Sequence, residues 1–226
     1  TKPAQLISDE NQITICGECL QYVGRGGLKL EKAIEVFNID LNDKICVDIG
    51  ASTGGFTDCM LQNGAKKVYA IDVGHDQLDE KLINDIRVVN IEKTNIREVD
   101  RTFFSEEIEF ISIDVSFISL KLVFPVAGQL LHENGCLVCL VKPQFEAGRE
   151  QVGRKGIVRD PEVHRQVIEK VIAYGEENGL FAHGLTFSPV TGTKGNIEYL
   201  LFMKKQKCNN RIDVENIVAE SHNELQ

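Results

Sequence analysis

The sequence predicts a doubly wound α/β protein: a Rossmann-like sheet of seven strands, the last antiparallel, with helices on both faces. Three observations carry this. Short apolar runs alternate with helical patterns from residue 44 to residue 178, as in parallel strands joined by crossover helices. The first run, Ile45, Val47 and Ile49, passes through a glycine-rich turn straight into a helical pattern, as in the first crossover of a nucleotide-binding sheet. The last two apolar runs have no helix between them, so they form a hairpin whose second strand runs against its neighbour.

Each element has a local reason. Residues 1–22 read as a separate unit, with Ile13-Thr14-Ile15 alternating before a glycine turn, as in a short hairpin. After Gly26 and Gly27, residues Leu30, Ala33, Ile34 and Phe37 fall on one helical face. Strands are expected at 44–49, 67–72, 87–91, 109–114 and 136–142, and helices at 54–63, 77–83, 119–132 and 161–178. The hairpin strands are Phe181–Phe187 and 197–203, separated by Pro189, Gly192 and Gly195. The stretch 143–160, with Pro143, Gly148, Gly153 and Gly156, is a long loop directly after a central strand, and such loops are usually functional.

The glycine-rich turn reads Asp48-Ile49-Gly50-Ala51-Ser52-Thr53-Gly54-Gly55-Phe56. Gly50 and Gly54 permit a tight turn and close backbone approach to a ligand. A second strand ends in Asp72, 22 residues after Gly50, where a carboxylate accepts both hydroxyls of a ribose. A dinucleotide fingerprint requires Gly-x-Gly-x-x-Gly, yet Ser52 replaces its second glycine. Asp48 would repel a pyrophosphate but attract the amino group of a methionine moiety. The expected ligand is therefore S-adenosyl-L-methionine, held by Asp48, Gly50, Ser52, Gly54, Gly55, Phe56 and Asp72. Asn95, after the third strand, is a candidate contact to the adenine, and Asp114 a further cofactor contact. Five parallel strands closed by a hairpin are the arrangement of class I methyltransferases, which supports the same ligand.

Composition bounds the rest. The chain has 226 residues, 42% of them apolar, enough for one sizeable domain with a small appendage. No apolar run approaches the ~18 residues of a membrane span and no signal peptide is visible, so a cytoplasmic protein without a membrane partner is expected. A net charge of −9 argues against nucleic-acid binding by the chain as a whole. The acid is uneven: the tail 205–226 is acidic, whereas Arg149, Arg154, Lys155 and Arg159 form a local basic patch. Cys16 and Cys19, and Cys136 and Cys139, each read Cys-x-x-Cys. The second pair lies in a strand, where residues three apart face opposite ways, so free thiols are expected and no metal.

Lys29 stands at the first helix, Asp114 and Lys142 end the fourth and fifth strands, and Glu198 enters the last. The carboxyl ends of those strands border the ligand crevice, and the antiparallel last strand starts at that same edge. The four residues should converge there, as a catalytic set or as a salt-bridge network.

These motifs together resemble a known family. Arg25-Gly26-Gly27-Leu28-Lys29-Leu30, the turn from Asp48 to Asp58, Asp114-Val115-Ser116-Phe117-Ile118-Ser119-Leu120, Lys142-Pro143-Gln144-Phe145-Glu146 and Gly195-Asn196-Ile197-Glu198-Tyr199 closely resemble the TlyA (haemolysin A) family, itself similar to FtsJ-type RNA 2′-O-methyltransferases. The resemblance spans about residues 3–204. It implies a Lys-Asp-Lys-Glu tetrad at Lys29, Asp114, Lys142 and Glu198, and methyl transfer to a cytidine 2′-hydroxyl in ribosomal RNA or ribosomal subunits. It also implies that residues 1–22 are the remnant and linker of an S4-type RNA-binding domain, followed by a methyltransferase domain at 23–204 and the acidic tail. Arg25, Arg149, Arg154, Lys155 and Arg159 are the candidate RNA contacts. Lys142 is the expected general base, and Lys29 the expected stabiliser of a developing alkoxide. The haemolysin label leaves a non-catalytic RNA-binding or membrane-active protein as the alternative, although no basic amphipathic helix is visible.

Overall fold

The computed structural model describes residues 21–208 and 212–225. Its strands are β1 (Ile45–Ile49), β2 (Lys67–Ile71), β3 (Val88–Ile91), β4 (Ile108–Ile113), β5 (Leu131–Val141), β6 (Phe181–Phe187) and β7 (Tyr199–Lys204). They form one sheet in the order β3-β2-β1-β4-β5-β7-β6. Strands β1 to β5 pair in parallel, and β7 is antiparallel to both β5 and β6. This is the expected sheet and hairpin. The chain winds outward from β1 in one direction and from β4 in the other, so a crevice opens beyond their carboxyl ends.

Every residue of β1 is buried, which requires helices on both faces. One face carries α1 (Gly26–Phe37), α2 (Gly55–Gln62) and α3 (Glu80–Ile83), whose Leu30, Ala33, Phe56, Met60 and Leu82 pack on Cys46, Val138 and Leu140. The other carries α4 (Phe124–Leu130), α6 (Pro161–Glu176) and α7 (Val214–Leu225), with Phe124, Ala127, Val167, Ile168 and Val218 on Val47, Ile49 and Leu137. A single turn, α5 (Pro143–Glu146), follows β5. Cys136 and Cys139 are free thiols that point into opposite layers.

Three elements depart from expectation. The helix expected at 119–132 is divided. Ser119 caps a short 3-10 turn at Leu120–Leu122, Pro125 occupies the first turn of α4 where no N–H is needed, and β5 already begins at Leu131, paired with Ile108. The helix expected at 77–83 shortens to α3, because the Asp79 side chain accepts from the Lys81 N–H and starts it there. The acidic tail carries a helix for which no element is expected: α7 buries Val214, Val218 and Ser221, an i, i+4, i+7 stripe beneath its acid. Ser221 Oγ lies 3.0 Å from the Tyr199 hydroxyl, which lies 2.8 Å from Nδ1 of the buried His164. The hairpin expected near Ile13–Ile15, with Cys16 and Cys19, lies outside the described residues.

Candidate active site

The first turn is built on backbone geometry that side chains resist. Gly50 has φ 86° and Gly54 φ 94°. A Cβ at position 50 would lie 2.5 Å from the Asp114 carbonyl oxygen, so glycine there lets the β1 turn close against the end of β4. Ser52 takes φ 49°, and its N–H donates to Asp72 Oδ2 at 2.8 Å. The Gly74 N–H donates to Asp72 Oδ1 at 2.7 Å. The ribose-type acid is therefore held half-exposed at the end of β2 by two backbone donors.

Asp48 requires a correction. It is fully buried and does not face the crevice. Thr57 Oγ1 donates to its Oδ2 at 2.7 Å and Ser112 Oγ to its Oδ1 at 3.0 Å. Burial pushes its carboxyl up to about 7 against those two hydrogen bonds. Asp48 ties β1 to β4 and to the first turn of α2, rather than meeting a methionine amino group. Asn95 also takes a structural role: its Oδ1 accepts from the Arg97 N–H and caps a 3-10 turn.

The four lysine and carboxylate residues do converge. They line one crevice of about 310 Å³ with Arg25, Gly50, Ser52, Gly55, Phe56 and Ser116. They form two ion pairs. Lys142 Nζ lies 2.5 Å from Asp114 Oδ1, and Lys29 Nζ lies 2.7 Å from Glu198 Oε2. Lys29, the residue outside the sheet, reaches it because α1 packs against β7. Glu198 is only 2% exposed and Lys142 8%, so both pairs are held largely away from water.

Four further residues of this region carry no site role in the sequence reading. Ser116 Oγ accepts from Lys142 Nζ at 3.1 Å, and Gln144 Nε2 donates to Glu198 Oε1 at 3.2 Å. Phe117 is 91% exposed at φ 63°, its ring 4.9 Å from that of Phe145. The carboxylate of Glu146 is buried against Ser119 and Leu120. All four lie inside the family-like motifs, but only their φ angle, exposure or partners single them out.

Arg25 stands exposed at the crevice mouth. Arg149, Arg154, Lys155 and Arg159 are exposed and make no ion pair among the described residues. The loop that carries them is anchored near its end rather than free: the Val158 N–H donates to Asn196 Oδ1 at 3.2 Å, and Asn196 Nδ2 to the Gly156 carbonyl at 3.0 Å.

An antiparallel strand inserted between β5 and β6, with a crevice at the β1/β4 reversal, defines the class I methyltransferase fold. The chain belongs to the FtsJ-like methyltransferase family, whose model matches residues 22–205. It is 54% identical over 203 residues to the "Putative rRNA methyltransferase YqxC" of Bacillus subtilis (strain 168), covering 89% of this chain and 72% of that protein. It is 40% identical over 206 residues to the "16S/23S rRNA (cytidine-2'-O)-methyltransferase TlyA" of Mycobacterium tuberculosis (strain ATCC 25618 / H37Rv), covering 91% and 77%. The solved "Putative hemolysin from Streptococcus thermophilus" superposes with a TM-score of 0.88 at 51% identity, covering 92% of this chain and 77% of that one.

The protein is thus a methyltransferase, with S-adenosylmethionine as its cofactor. The donor set fits that molecule. Asp72, half-exposed at the end of β2 and bonded to the crevice residue Ser52, would suit a ribose, and Asp114 would suit a cationic sulfonium and amine. The amino ends of α1 and α2 at the crevice suit a carboxylate.

Proposed function

We propose that the protein methylates the 2′-hydroxyl of a cytidine in ribosomal RNA, with Lys29, Asp114, Lys142 and Glu198 as its catalytic tetrad. The observation that carries this reading is the meeting of two lysine–carboxylate pairs in one crevice with Ser52, whose N–H holds Asp72. Cytidine and ribosomal RNA are taken from the name of the Mycobacterium relative.

S-adenosylmethionine, when bound, supplies an electrophilic methyl group on sulfur. The residues of the chain must bring a ribose oxygen into line and take its proton. Lys142 accepts that proton, for which its amine must be neutral. Asp114 and Ser116 fix where the amine points. Lys29, held by Glu198, stabilises negative charge growing on the 2′-oxygen. The carbon–sulfur electron pair would stay with the departing cofactor, so the chain itself has only the ribose proton to take, at Lys142, and the oxygen charge to offset, at Lys29.

The exposed Phe117 ring beside Phe145 offers a face on which an unstacked base can lie. Arg25 and the basic residues of 149–159 contact phosphates, which fixes register without reading sequence. A ribosomal substrate entails a cytoplasmic protein, and no described helix is long and apolar enough to cross a membrane.

The test is transfer of labelled methyl groups by the full-length protein to unmethylated ribosomal subunits, followed by nucleoside analysis. Label in 2′-O-methylcytidine is expected. Label on a base, or none in RNA, rejects the reading.

A further inference from the structure

The segment 114–120 carries Asp114, Ser116 and Phe117, yet it does little to hold itself. Among the described residues, the N–H groups from Val115 to Ile118 make no backbone hydrogen bond. Phe117 adopts a left-handed φ of 63°, a conformation unfavourable for a bulky side chain unless its surroundings impose it. One end of the segment is tied to the sheet, where the Asp114 N–H donates to the Ile49 carbonyl at 2.9 Å. At the other end Leu120 is buried in the core, and the polar anchor is a single side chain from a different element. Glu146 Oε2 accepts from Ser119 Oγ at 2.7 Å, and Oε1 accepts from the Leu120 N–H at 2.7 Å.

Glu146 is 5% exposed, and burial pushes its carboxyl up against those two hydrogen bonds. A carboxylate so placed is costly unless its partners compensate it. Its position gives it a second connection. It ends the turn α5 that begins directly after Lys142, and Lys170 Nζ donates to its backbone carbonyl at 2.8 Å. The same turn carries Gln144 to Glu198 and Phe145 to Phe117. Glu146 thus ties the loop bearing Asp114 to the turn following Lys142.

We propose that Glu146 is a positioning residue for methyl transfer: its carboxylate clamps the loop 114–120 against α5 and so sets the Lys142–Asp114 contact and the Phe117–Phe145 pair. The inference rests on the function proposed above and assigns Glu146 no contact with RNA or cofactor.

The variants Glu146→Ala, Glu146→Gln and Ser119→Ala separate a clamp from simple support of the fold. Glutamine keeps a carbonyl for the Leu120 N–H and an amide that donates to Ser119 Oγ. Alanine removes both anchors, and Ser119→Ala removes one together with the cap on the Lys121 N–H. With RNA as substrate, Glu146→Ala should lower kcat by ~10–100-fold, the scale of a misplacement of about 1 Å. Its affinity for S-adenosylmethionine, measured by calorimetry, should fall by much less than its kcat, because Asp114 stays tied to the sheet through the Ile49 carbonyl. Ser119→Ala should fall between, and Glu146→Gln should retain most activity.

Hydrogen exchange supplies a readout independent of turnover. Amides of 115–120 should exchange faster in Glu146→Ala than in Glu146→Gln, while those of β1 and β4 stay protected. A kcat for Glu146→Ala within about threefold of wild type overturns the clamp. So does an equal loss in the alanine and glutamine variants that tracks cofactor affinity, or unchanged exchange at 115–120. Should the wild-type protein fail to methylate ribosomal RNA, the proposed function falls, and the exchange measurement still decides the clamp.

Discussion

Lys142 Nζ and Asp114 Oδ1 meet at 2.5 Å, joining the carboxyl ends of the adjacent strands β5 and β4 directly beside the crevice. The contact fixes the amine rather than leaving it to sweep through solvent, as an isolated strand-end lysine would. If that amine takes the ribose proton, Lys142→Ala should lower turnover by ~10²–10⁴-fold. Lys142→Arg should fail as well, because a guanidinium stays protonated. Both should bind S-adenosylmethionine nearly normally by calorimetry. An active arginine variant would defeat the assignment.

The second pair is more deeply placed, with Lys29 and Glu198 side chains 11% and 3% exposed. Removing one partner leaves the other charge buried. Lys29→Met should therefore cost about 3 kcal/mol of stability as well as activity. Lys29→Met combined with Glu198→Gln should recover much of the stability and none of the activity. Denaturant titration and methyl-transfer assays on the same samples check this. Recovered turnover in the double variant would reduce the pair to a structural bridge.

The two strand-end acids should behave differently. Asp72→Ala should weaken S-adenosylmethionine binding by ~1.5–3 kcal/mol, the scale of hydrogen bonds to a charged acceptor. Asp48→Asn should bind it almost as well as wild type, because Asp48 faces Thr57 and Ser112 instead of the crevice. Equal losses at both positions would restore Asp48 to the ligand.

The sheet is legible in the sequence because its signals are local. Apolar runs, the Gly50 to Gly55 turn and the helix-free hairpin each have a short-range cause, and the convergence of Asp114, Lys142 and Glu198 follows from strand ends in a known topology. Asp48 misleads because a strand-end carboxylate looks the same in sequence whether it faces a ligand or two hydroxyls from other elements. The α7 stripe is hidden by the acid around it. Glu146, Gln144 and Ser116 matter through partners 26 to 54 residues away, and no spacing rule reports such pairings.

The RNA surface makes a prediction in two parts. Replacing Arg149, Arg154, Lys155 and Arg159 with Ala should lower RNA affinity and flatten its salt dependence, by ~0.7 in slope for each single-strand phosphate no longer neutralised. Phe117→Ala should instead lower affinity by ~1–3 kcal/mol at every salt concentration, with Phe117→Tyr close to wild type, since stacking does not depend on counterions. Filter binding across a salt series distinguishes them. An unchanged slope in the quadruple variant would remove the loop from the RNA footprint.

Stability against pH isolates the buried groups. Burial holds His164 down at about 4 from the ordinary 6.5, so an unfolded chain takes up the proton first. The stability this neutral histidine contributes is intact above 6.5 and is lost as pH falls toward 4. Asp48 acts with the opposite sign. Its carboxyl is raised to about 7 from 3.8, so its contribution is intact below 3.8 and is lost as pH rises toward 7. Over the shared window the two slopes oppose each other, each worth about 1.4 kcal/mol per pH unit. Asp48→Asn removes one of them. Its stability relative to wild type should therefore rise steadily from about pH 4 to about pH 7, by a few kcal/mol in all. His164→Gln should gain relative to wild type in the other direction, toward acid, while the missing bonds to Tyr199 and Val158 cost stability at every pH. Urea titrations of the three proteins at half-unit pH steps measure this directly. Parallel curves for wild type and Asp48→Asn would mean that Asp48 is ionised in the fold across the whole range.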